Sequence, residues 1–532
     1  MMRRLFVLLL AAVVTAGCAS SPEQRARPAR ARLVVLLVVD QMRTEYIETL
    51  GPRFTGGFRR LLDEGAWFRH AAFPYLNTVT CAGHATIGTG ALPYRHGMVL
   101  NAWWDREAER LNPCTTDGSV KNIGYTGTPA GGDSAAALLV PPLAEQLRDG
   151  AGGRSVALSL KQRSAITMAG RNPNAVVWFD GGAGWSTSTA FTDTPIDWVQ
   201  AYIDANPLAA DRGKTWERLL PAAAYAGEDD AAGESAASGW TRVFPHRLGD
   251  PAAQFLTHWQ RSPFADAYLG RMAAHAVEAL DLGRGTGTDI LAVSFSTLDL
   301  VGHQYGPASH ESQDVLFRLD RTIAALLDHL DARLGRDGYV LALSADHGVA
   351  DLPEQTGGDR QSSTAIVAAI DAALAPFFGP GKYVARTVYT DIYLTPGTLD
   401  RLRQSAPASA AVLDALRALP GISHAFRADE ISDAAVRTSA DPVKRAAALS
   451  YYAPRSGDVI VVPQRNWLLS TAATTHGTLH PYDQRVPVIF FGAGVAPGVH
   501  DRAATPADIA PTLAALAGAP FKATDGVVLL RR

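Results

Sequence analysis

The fold is constrained most by a set of short aliphatic runs that each end close to polar or glycine residues. Leu33 to Val39 is unbroken and ends at Asp40. An apolar run without alternation is typical of a strand that is buried on both faces, as in a parallel sheet. The same pattern recurs at 155–160, 290–296, 339–344 and 486–491. These runs predict a mostly parallel central sheet.

Segments with helical periodicity lie between the runs. One apolar stripe at helical spacing consists of Val315, Leu316, Leu319, Ile323, Leu326, Leu327 and Leu330. A second helix is predicted to begin at Thr505-Pro506 and to stop at Gly518. Strands that alternate with helices indicate an α/β fold with helices on both faces of the sheet. Functional sites of such folds lie at the carboxyl ends of the strands.

Two regions interrupt this alternation. Residues from about 183 to 285 are rich in Ala, Trp and Gly and show weak periodicity. Residues from about 380 to 470 contain a strand-like run at 383–394 and a helix-like run at 399–419. We interpret both as insertions that form a cap over the site of a single catalytic domain, residues 32–532.

The first residues are typical of a signal for export. Arg3 and Arg4 precede an apolar run of about ten residues, which is too short to span a bilayer. Small residues before Cys18 resemble a bacterial lipoprotein processing site, although Thr15 replaces the usual Leu. We therefore predict a signal peptide (1–18), a flexible tether (19–31), and a periplasmic or outer-membrane product with a lipid anchor at Cys18. The alternative is simple cleavage near Ala19 and a soluble product.

Two cysteines, Cys81 and Cys114, remain after this processing. An oxidising compartment permits a disulfide between them, and two free thiols are an equal alternative.

The charge balance bears on the class of partner. Lys and Arg number 49, Asp and Glu number 52, and the net charge is −3, which gives no broad basic surface and disfavours nucleic acid as the primary partner.

Three aspartates and three histidines follow or precede the predicted strands. They are Asp40, Asp299, His303, Asp346, His347 and His476. Alone, each is commonly structural, as a helix cap or a surface pair. Together, oxygen and nitrogen ligands without thiolates suit catalytic zinc, and six are enough for two metals. His480 is an alternative to His476.

Thr80 is the candidate nucleophile, since it stands at the start of a helix-like segment. A threonine there is often only an N-cap. The same position attracts anions through free backbone N–H groups and the helix dipole. Its hydroxyl needs a metal or a base to become a nucleophile.

Four motifs in this order resemble the alkaline phosphatase superfamily over about residues 33–530. They are Thr80-x-x-x-His84, Asp299-x-x-x-His303, Asp346-His347-Gly348 and Thr475-His476-Gly477, and residues 507–513 also match. The chain is most similar to the phosphate-irrepressible, threonine-nucleophile alkaline phosphatases. The resemblance implies an alkaline-phosphatase-like three-layer sandwich with two Zn²⁺ ions.

The resemblance also implies a role for each site residue. Asp40, Asp346 and His347 would hold the zinc that binds and activates Thr80. The second zinc, which steadies the leaving oxygen and supplies hydroxide, would be held by Asp299, His303 and His476. Asn101, Lys161 and Arg163 would hold the phosphoryl oxygens.

Differences from other members of the superfamily limit the reactions that this chain is expected to catalyse. Lys161 and Arg163 favour phosphate monoesters, because two cations match the charge on three non-bridging oxygens. Without the other motifs they would be an exposed basic pair. Ser294 stands where some relatives carry a glutamate for a third metal, so no third site is predicted. Cys81 lacks the Cys-x-Pro-x-Arg setting of sulfatases.

The sequence thus predicts an exported metal-dependent phosphatase that acts on small-molecule phosphate monoesters through a phosphothreonine at Thr80. One alternative is a phosphodiesterase or nucleotide pyrophosphatase on the same fold. A different class of alternative is a metal-binding surface lipoprotein without catalysis, in which the site would serve a partner.

Overall fold

The computed structural model describes residues 31–250, 252–522 and 524–531. The predicted signal peptide, the anchor at Cys18 and most of the tether lie outside the described residues. Strands, in chain order, are β1 (Leu33–Val39), β2 (Ala66–Phe68), β3 (Ala102–Asp105), β4 (Arg110–Pro113), β5 (Asn122–Gly124), β6 (Ser155–Ser159), β7 (Ala175–Asp180), β8 (Gly184–Ser188), β9 (Thr215–Trp216), β10 (His246–Arg247), β11 (Asp289–Phe295), β12 (Tyr339–Ser344), β13 (Val384–Val388), β14 (Asp391–Leu394), β15 (Ile422–Arg427), β16 (Val459–Pro463), β17 (Val488–Gly492) and β18 (Gly498–His500).

The α-helices follow the same order. They are α1 (Glu45–Leu50), α2 (Gly57–Glu64), α3 (Thr80–Thr89), α4 (Pro93–His96), α5 (Leu143–Ala151), α6 (Gln162–Ala169), α7 (Asp197–Ala205), α8 (Ala252–Gln260), α9 (Pro263–Ala279), α10 (Thr297–Tyr305), α11 (His310–Leu334), α12 (Pro353–Thr356), α13 (Ser363–Phe378), α14 (Thr398–Gln404), α15 (Ala406–Arg417), α16 (Ala428–Ile431), α17 (Pro442–Ser450), α18 (Pro481–Gln484) and α19 (Ile509–Ala517). Within the described ranges, none of these helices combines the length and hydropathy needed to span a bilayer.

Ten strands form the central sheet in the order β18-β2-β17-β12-β1-β11-β6-β7-β8-β5. The five in its middle, from β12 to β7, are parallel to one another. All seven residues of β1 are buried, as expected for a strand covered on both faces. The predicted α/β class with a mostly parallel sheet is confirmed.

The sheet lies between two helical layers, and side chains of β1 alternate between them. Leu33, Val35, Leu37 and Val39 join one core with residues of α9 and α11. Val34, Leu36 and Val38 join a second core with residues of α5, α6 and α19. The predicted stripe of α11 is buried, and α19 follows a short turn at Pro506–Asp508 and ends before Gly518. This is the predicted three-layer sandwich.

The register of the parallel strands aligns their carboxyl ends. Paired residues at this edge are Val39 with Phe295, Val38 with Ser344, and Ser294 with Ser159. Asp40, Asp346 and Lys161 follow within two residues of their strands. Side chains from distant parts of the chain therefore meet at one edge.

One predicted strand differs in direction. The run 486–491 forms β17, but this strand begins at Val488 and is antiparallel to β12, with Val488 opposite Ser344. Because β17 runs opposite to the central parallel strands, it starts at the edge of the sheet where those strands end. The loop before β17, which carries His476, consequently reaches the same edge.

The region around 380–470 builds a separate four-stranded sheet in the order β13-β14-β16-β15. Its core includes residues of α13 and α15, so the helices packed on this sheet begin at Ser363. Two elements of the region 183–285 join the central layers. Its first strand, β8, belongs to the central sheet, and α9 packs in the core beside α11. That the two regions act as a cap stays a prediction.

Candidate metal centre and active site

The six predicted ligands form two sets of three at the carboxyl edge of the sheet. Asp40, Asp346 and His347 form the first set, and Asp299, His303 and His476 form the second. Within each set the ligand atoms lie within 4.8 Å of one another. In the described part of the chain, no other group of this kind meets the same criterion.

The three histidines share one arrangement that suits metal ligands. In each ring Nδ1 faces a backbone carbonyl, which can only accept a hydrogen bond. Those distances are 2.9 Å from His347 to Gly348, 3.0 Å from His303 to Thr474, and 2.9 Å from His476 to Thr78. The carbonyl fixes the hydrogen on Nδ1 and leaves the lone pair on Nε2. Nε2 of each ring faces the carboxylates of its own set.

Charge at the site is strongly unbalanced. Burial raises the pKa of Asp40 well above its ordinary value, and the carboxylates of Asp299 and Asp346 add to the rise. At Asp299 burial opposes ionisation, but the Lys161 ammonium and His303 hold its pKa well below the ordinary value. One buried ammonium thus faces three buried carboxylates, and divalent cations would neutralise this excess. The donor set fits two such ions.

Gln41 is a site residue that the sequence analysis missed. Its backbone N–H donates to Asp346 Oδ1 at 3.1 Å, and its Nε2 donates to Asp299 Oδ1 at 2.9 Å. Gln41 therefore bridges the two ligand sets, with its backbone on one and its side chain on the other. Gln41 has a φ of 72°, an uncommon value for a residue other than glycine. No pattern in the sequence signals this conformation.

Thr80 lies where the first set can act on it. It is the first residue of α3, is 1% exposed, and its Oγ1 lies 3.4 Å from His347 Nε2. Val79, the residue before it, is extended and makes no side-chain cap. The hydroxyl therefore lies at a helix N-terminus beside a candidate metal site. This position suits a nucleophile better than it suits a helix cap.

The three predicted phosphoryl-binding residues have different surroundings. Lys161 Nζ lies 2.6 Å from Asp40 Oδ2 and 2.5 Å from Asp299 Oδ2, so it joins the two sets. Arg163 is half-buried in the first turn of α6, and its Nε has no hydrogen-bond partner among the described residues. Asn101 Oδ1 accepts a hydrogen bond of 2.8 Å from the Cys81 N–H.

The remaining histidines lie outside the ligand sets. His84 contacts Asp346 Oδ2 through Nδ1 at 3.1 Å and Ser294 Oγ through Nε2 at 2.8 Å, so it supports a ligand carboxylate. His480 Nε2 instead lies 3.1 Å from the Pro463 carbonyl oxygen. The structure therefore favours His476 over His480 as the ligand.

Tyr389 is a second residue that the sequence did not single out. It forms the tip between β13 and β14 with a φ of 51°. A Cβ on Gly477 would meet Tyr389 Cδ1 at 3.5 Å, so the tyrosine ring lies against this glycine, beside the candidate ligand His476. The adjacent Thr390 hydroxyl donates to Asn77 Oδ1 at 2.6 Å. The second sheet is thus bonded to the loop that precedes Thr80.

Close packing between α3 and the Asp346 loop gives a testable prediction. A Cβ on Gly83 would lie 2.0 Å from the Asp346 backbone oxygen, so Gly83→Ala must displace the helix or the loop. We expect a loss of unfolding free energy of about 1–3 kcal/mol. In the same helix, Gly88→Ala is a matched control, since its Cβ would come no closer than 3.2 Å to Thr167 O. Thermal unfolding measures both, and equal shifts in Tm would contradict the packing argument.

Comparisons with known proteins agree with this geometry. The family model described as type I phosphodiesterase / nucleotide pyrophosphatase matches residues 34–483. The chain is 31% identical over 525 residues to alkaline phosphatase PafA of Elizabethkingia meningoseptica, covering 96% of this chain and 95% of that protein. It is 31% identical over 506 residues to alkaline phosphatase PhoV of Synechococcus elongatus, covering 93% and 91%.

A solved structure is similar over nearly the whole chain. The crystal structure of wild-type alkaline phosphatase PafA matches with a TM-score of 0.85 and 29% identity, covering 95% of this chain and 99% of that one. The family model covers well over half of the chain, and the relatives match most of its length. The chain therefore belongs to the type I phosphodiesterase / nucleotide pyrophosphatase family, within the alkaline phosphatase superfamily.

Proposed function

We propose that this chain is an exported, two-zinc phosphatase that hydrolyses small-molecule phosphate monoesters through a phosphothreonine at Thr80. The observation that carries the proposal is the placement of the Thr80 hydroxyl beside one of two adjoining Asp/His ligand sets. Relatives named alkaline phosphatases, at 31% identity, support the reaction class. The donor set of three oxygens and three imidazole nitrogens supports zinc.

The reaction is an in-line displacement in two steps. Thr80 gives its hydroxyl proton to solvent, its oxygen attacks phosphorus, and the bond from phosphorus to the alcohol oxygen breaks, so that the alcohol leaves and takes up a proton. Water then attacks phosphorus, the bond to the Thr80 oxygen breaks, and inorganic phosphate leaves while the hydroxyl regains a proton. Divalent metals held by the two ligand sets would supply Lewis acidity at the attacking and leaving oxygens.

The chain's other polar groups position the phosphoryl group. Because Asn101 Oδ1 accepts from the Cys81 N–H, its amide nitrogen is left to donate to a phosphoryl oxygen. Lys161 and Arg163 supply two cations at the start of α6. Lys161 and Arg163 lie where β6 ends and α6 begins, and Asn101 is fixed by its hydrogen bond from Cys81, so the contribution of the three is electrostatic preorganisation.

A comparison of two neighbouring histidines tests the metal sites. His476→Ala removes a predicted ligand, whereas His480→Ala removes an imidazole that faces Pro463. We expect the first variant to lose about one of two bound zinc equivalents and the second to keep both, because three ligands hold each catalytic zinc. Metal content after gel filtration measures this. Equal metal content in the two variants would contradict the ligand assignment.

A chelator provides the matching activity test. Dialysis against a chelator should remove release of p-nitrophenol from p-nitrophenyl phosphate, and zinc should restore it. Restoration by manganese but not by zinc would keep the two sites and reject zinc as the metal.

Export rests on the first residues alone. The basic start, the short apolar run and the small residues before Cys18 support it. Mass spectrometry of the mature N-terminus tests export and the anchor separately. A diacylglyceryl group on Cys18 supports both, a free Ala19 terminus supports export and contradicts the anchor, and an uncleaved N-terminus contradicts export.

The competing function is a phosphodiesterase or nucleotide pyrophosphatase, which the name of the matching family model favours. The ratio of rates on p-nitrophenyl phosphate and on bis-p-nitrophenyl phosphate separates the two functions. A diester preference would reject the monoesterase.

A further inference from the structure

The sequence left open whether Cys81 and Cys114 pair, and the structure joins them in a disulfide. This disulfide lies beside the candidate nucleophile. Cys81 directly follows Thr80 in the first turn of α3, and Cys114 directly follows β4. Both half-cystines are buried, at 0% and 1% exposure, in an apolar cluster.

Asn101 is bonded to both halves of this disulfide. Its side-chain Oδ1 accepts from the Cys81 N–H at 2.8 Å, and its backbone oxygen accepts from the Cys114 N–H at 3.0 Å. The disulfide links the two residues whose N–H groups make these bonds, so that Asn101, Cys81 and Cys114 form a closed ring. Asn101 is thus held at its backbone and at its side chain by residues that are covalently joined.

The segment that carries Asn101 has no strand pairing with the central sheet. Asn101 precedes the β3–β4 hairpin, and these two strands form a sheet of their own, which packs through Trp103 in the apolar cluster of the disulfide. The residues from Met98 to Leu100 pack in the same apolar cluster as the disulfide. The covalent link therefore fixes the distance between this segment and α3.

We propose that the Cys81–Cys114 disulfide positions Asn101. Reduction of the disulfide would therefore weaken the contact between Asn101 and the phosphoryl group. This inference rests on the proposed function for the role of Asn101. A dithiol such as dithiothreitol supplies the two electrons and two protons that convert the disulfide to two thiols, and it becomes a cyclic disulfide. The Asn101 amide then loses its fixed orientation next to Thr80.

A structural disulfide would behave differently, and a double-mutant cycle distinguishes the two roles. We compare Asn101→Ala, the pair Cys81→Ala and Cys114→Ala, and the combination of all three in the full processed protein. We expect Asn101→Ala to lower kcat/KM for p-nitrophenyl phosphate by about a hundredfold, as for loss of one preorganised donor. The cysteine pair should lose about tenfold or more, and the triple variant should be no worse than Asn101→Ala.

Treatment with dithiothreitol covers the case in which the cysteine variant fails to fold. Because the disulfide is buried, the reductant is applied in low denaturant until a thiol count shows that Cys81 and Cys114 are free, and enzyme held in the same denaturant without reductant is the control. Wild type should lose activity on reduction, and Asn101→Ala should be insensitive. Losses that multiply in the triple variant, or equal sensitivity of both enzymes to the reductant, would overturn the proposal.

Hydrogen exchange gives a readout that does not depend on activity. The Cys81 amide should exchange faster in reduced protein and in Asn101→Ala, while the later turns of α3 stay protected. Unchanged exchange in the peptide that contains residues 78–84 after reduction would reject the positioning role. An enzyme without monoesterase activity would reject the proposed function instead, and the exchange result would still decide the role of the disulfide.

Discussion

Thr80→Ala is expected to abolish turnover of phosphate monoesters and to leave no phosphoenzyme. The hydroxyl is the only group of Thr80 that can form a bond to phosphorus, and removal of a catalytic nucleophile typically costs about 10³–10⁶ in kcat. Its one side-chain hydrogen bond in the structure, to His347 at 3.4 Å, is long, so the fold should persist. Phosphate release and mass spectrometry of acid-quenched enzyme measure the effect.

A threonine in the same helix provides the matched control. Thr86 is also buried in α3, but its hydroxyl contacts His96 and Tyr75, at 3.1 Å each. Thr86→Ala should therefore cost about 1 kcal/mol of stability and retain the phosphoenzyme. If Thr80→Ala still released phosphate at the wild-type rate, Thr80 would not be the nucleophile, and water would have to attack the ester directly.

The core of the fold was readable from the sequence because burial leaves a local pattern. An unbroken run such as Leu33 to Val39 places apolar side chains on both faces of the sheet, and Asp40, which is itself buried, marks where the strand has ended. Since parallel strands end at one edge, residues such as Asp346 could be placed near Asp40 without knowledge of the strand order.

Features that depend on long-range pairing were not readable. The direction of β17 is set by its neighbours β12 and β2, not by its own apolar run. Gln41 bridges the ligand sets only because its backbone adopts a positive φ after β1. The partners of Lys161 are the carboxylates of Asp40, which follows β1, and Asp299, which lies in α10, whereas the sequence suggested only a contact to substrate.

The joint change Lys161→Ala and Arg163→Ala is expected to lower kcat/KM for p-nitrophenyl phosphate by about 10²–10⁴. Each cation contributes a charge-assisted hydrogen bond of about 1.5–3 kcal/mol to a phosphoryl group that carries about two negative charges. A diester carries one negative charge, so its hydrolysis should fall by about tenfold. The ratio of the monoester rate to the diester rate therefore falls, and this ratio is the quantity to measure.

Lys161 also contacts the ligand carboxylates of Asp40 and Asp299, so lost metal could imitate lost substrate binding. Zinc content of the double variant must be measured beside its rates. Lys382→Ala with Arg386→Ala removes the same charge from exposed positions and controls for net charge. If monoester and diester rates fall by the same factor at full zinc occupancy, the two cations do not read the charge of the phosphoryl group. The preference for monoesters would then have to come from the shape of the site, and the diesterase alternative would gain support.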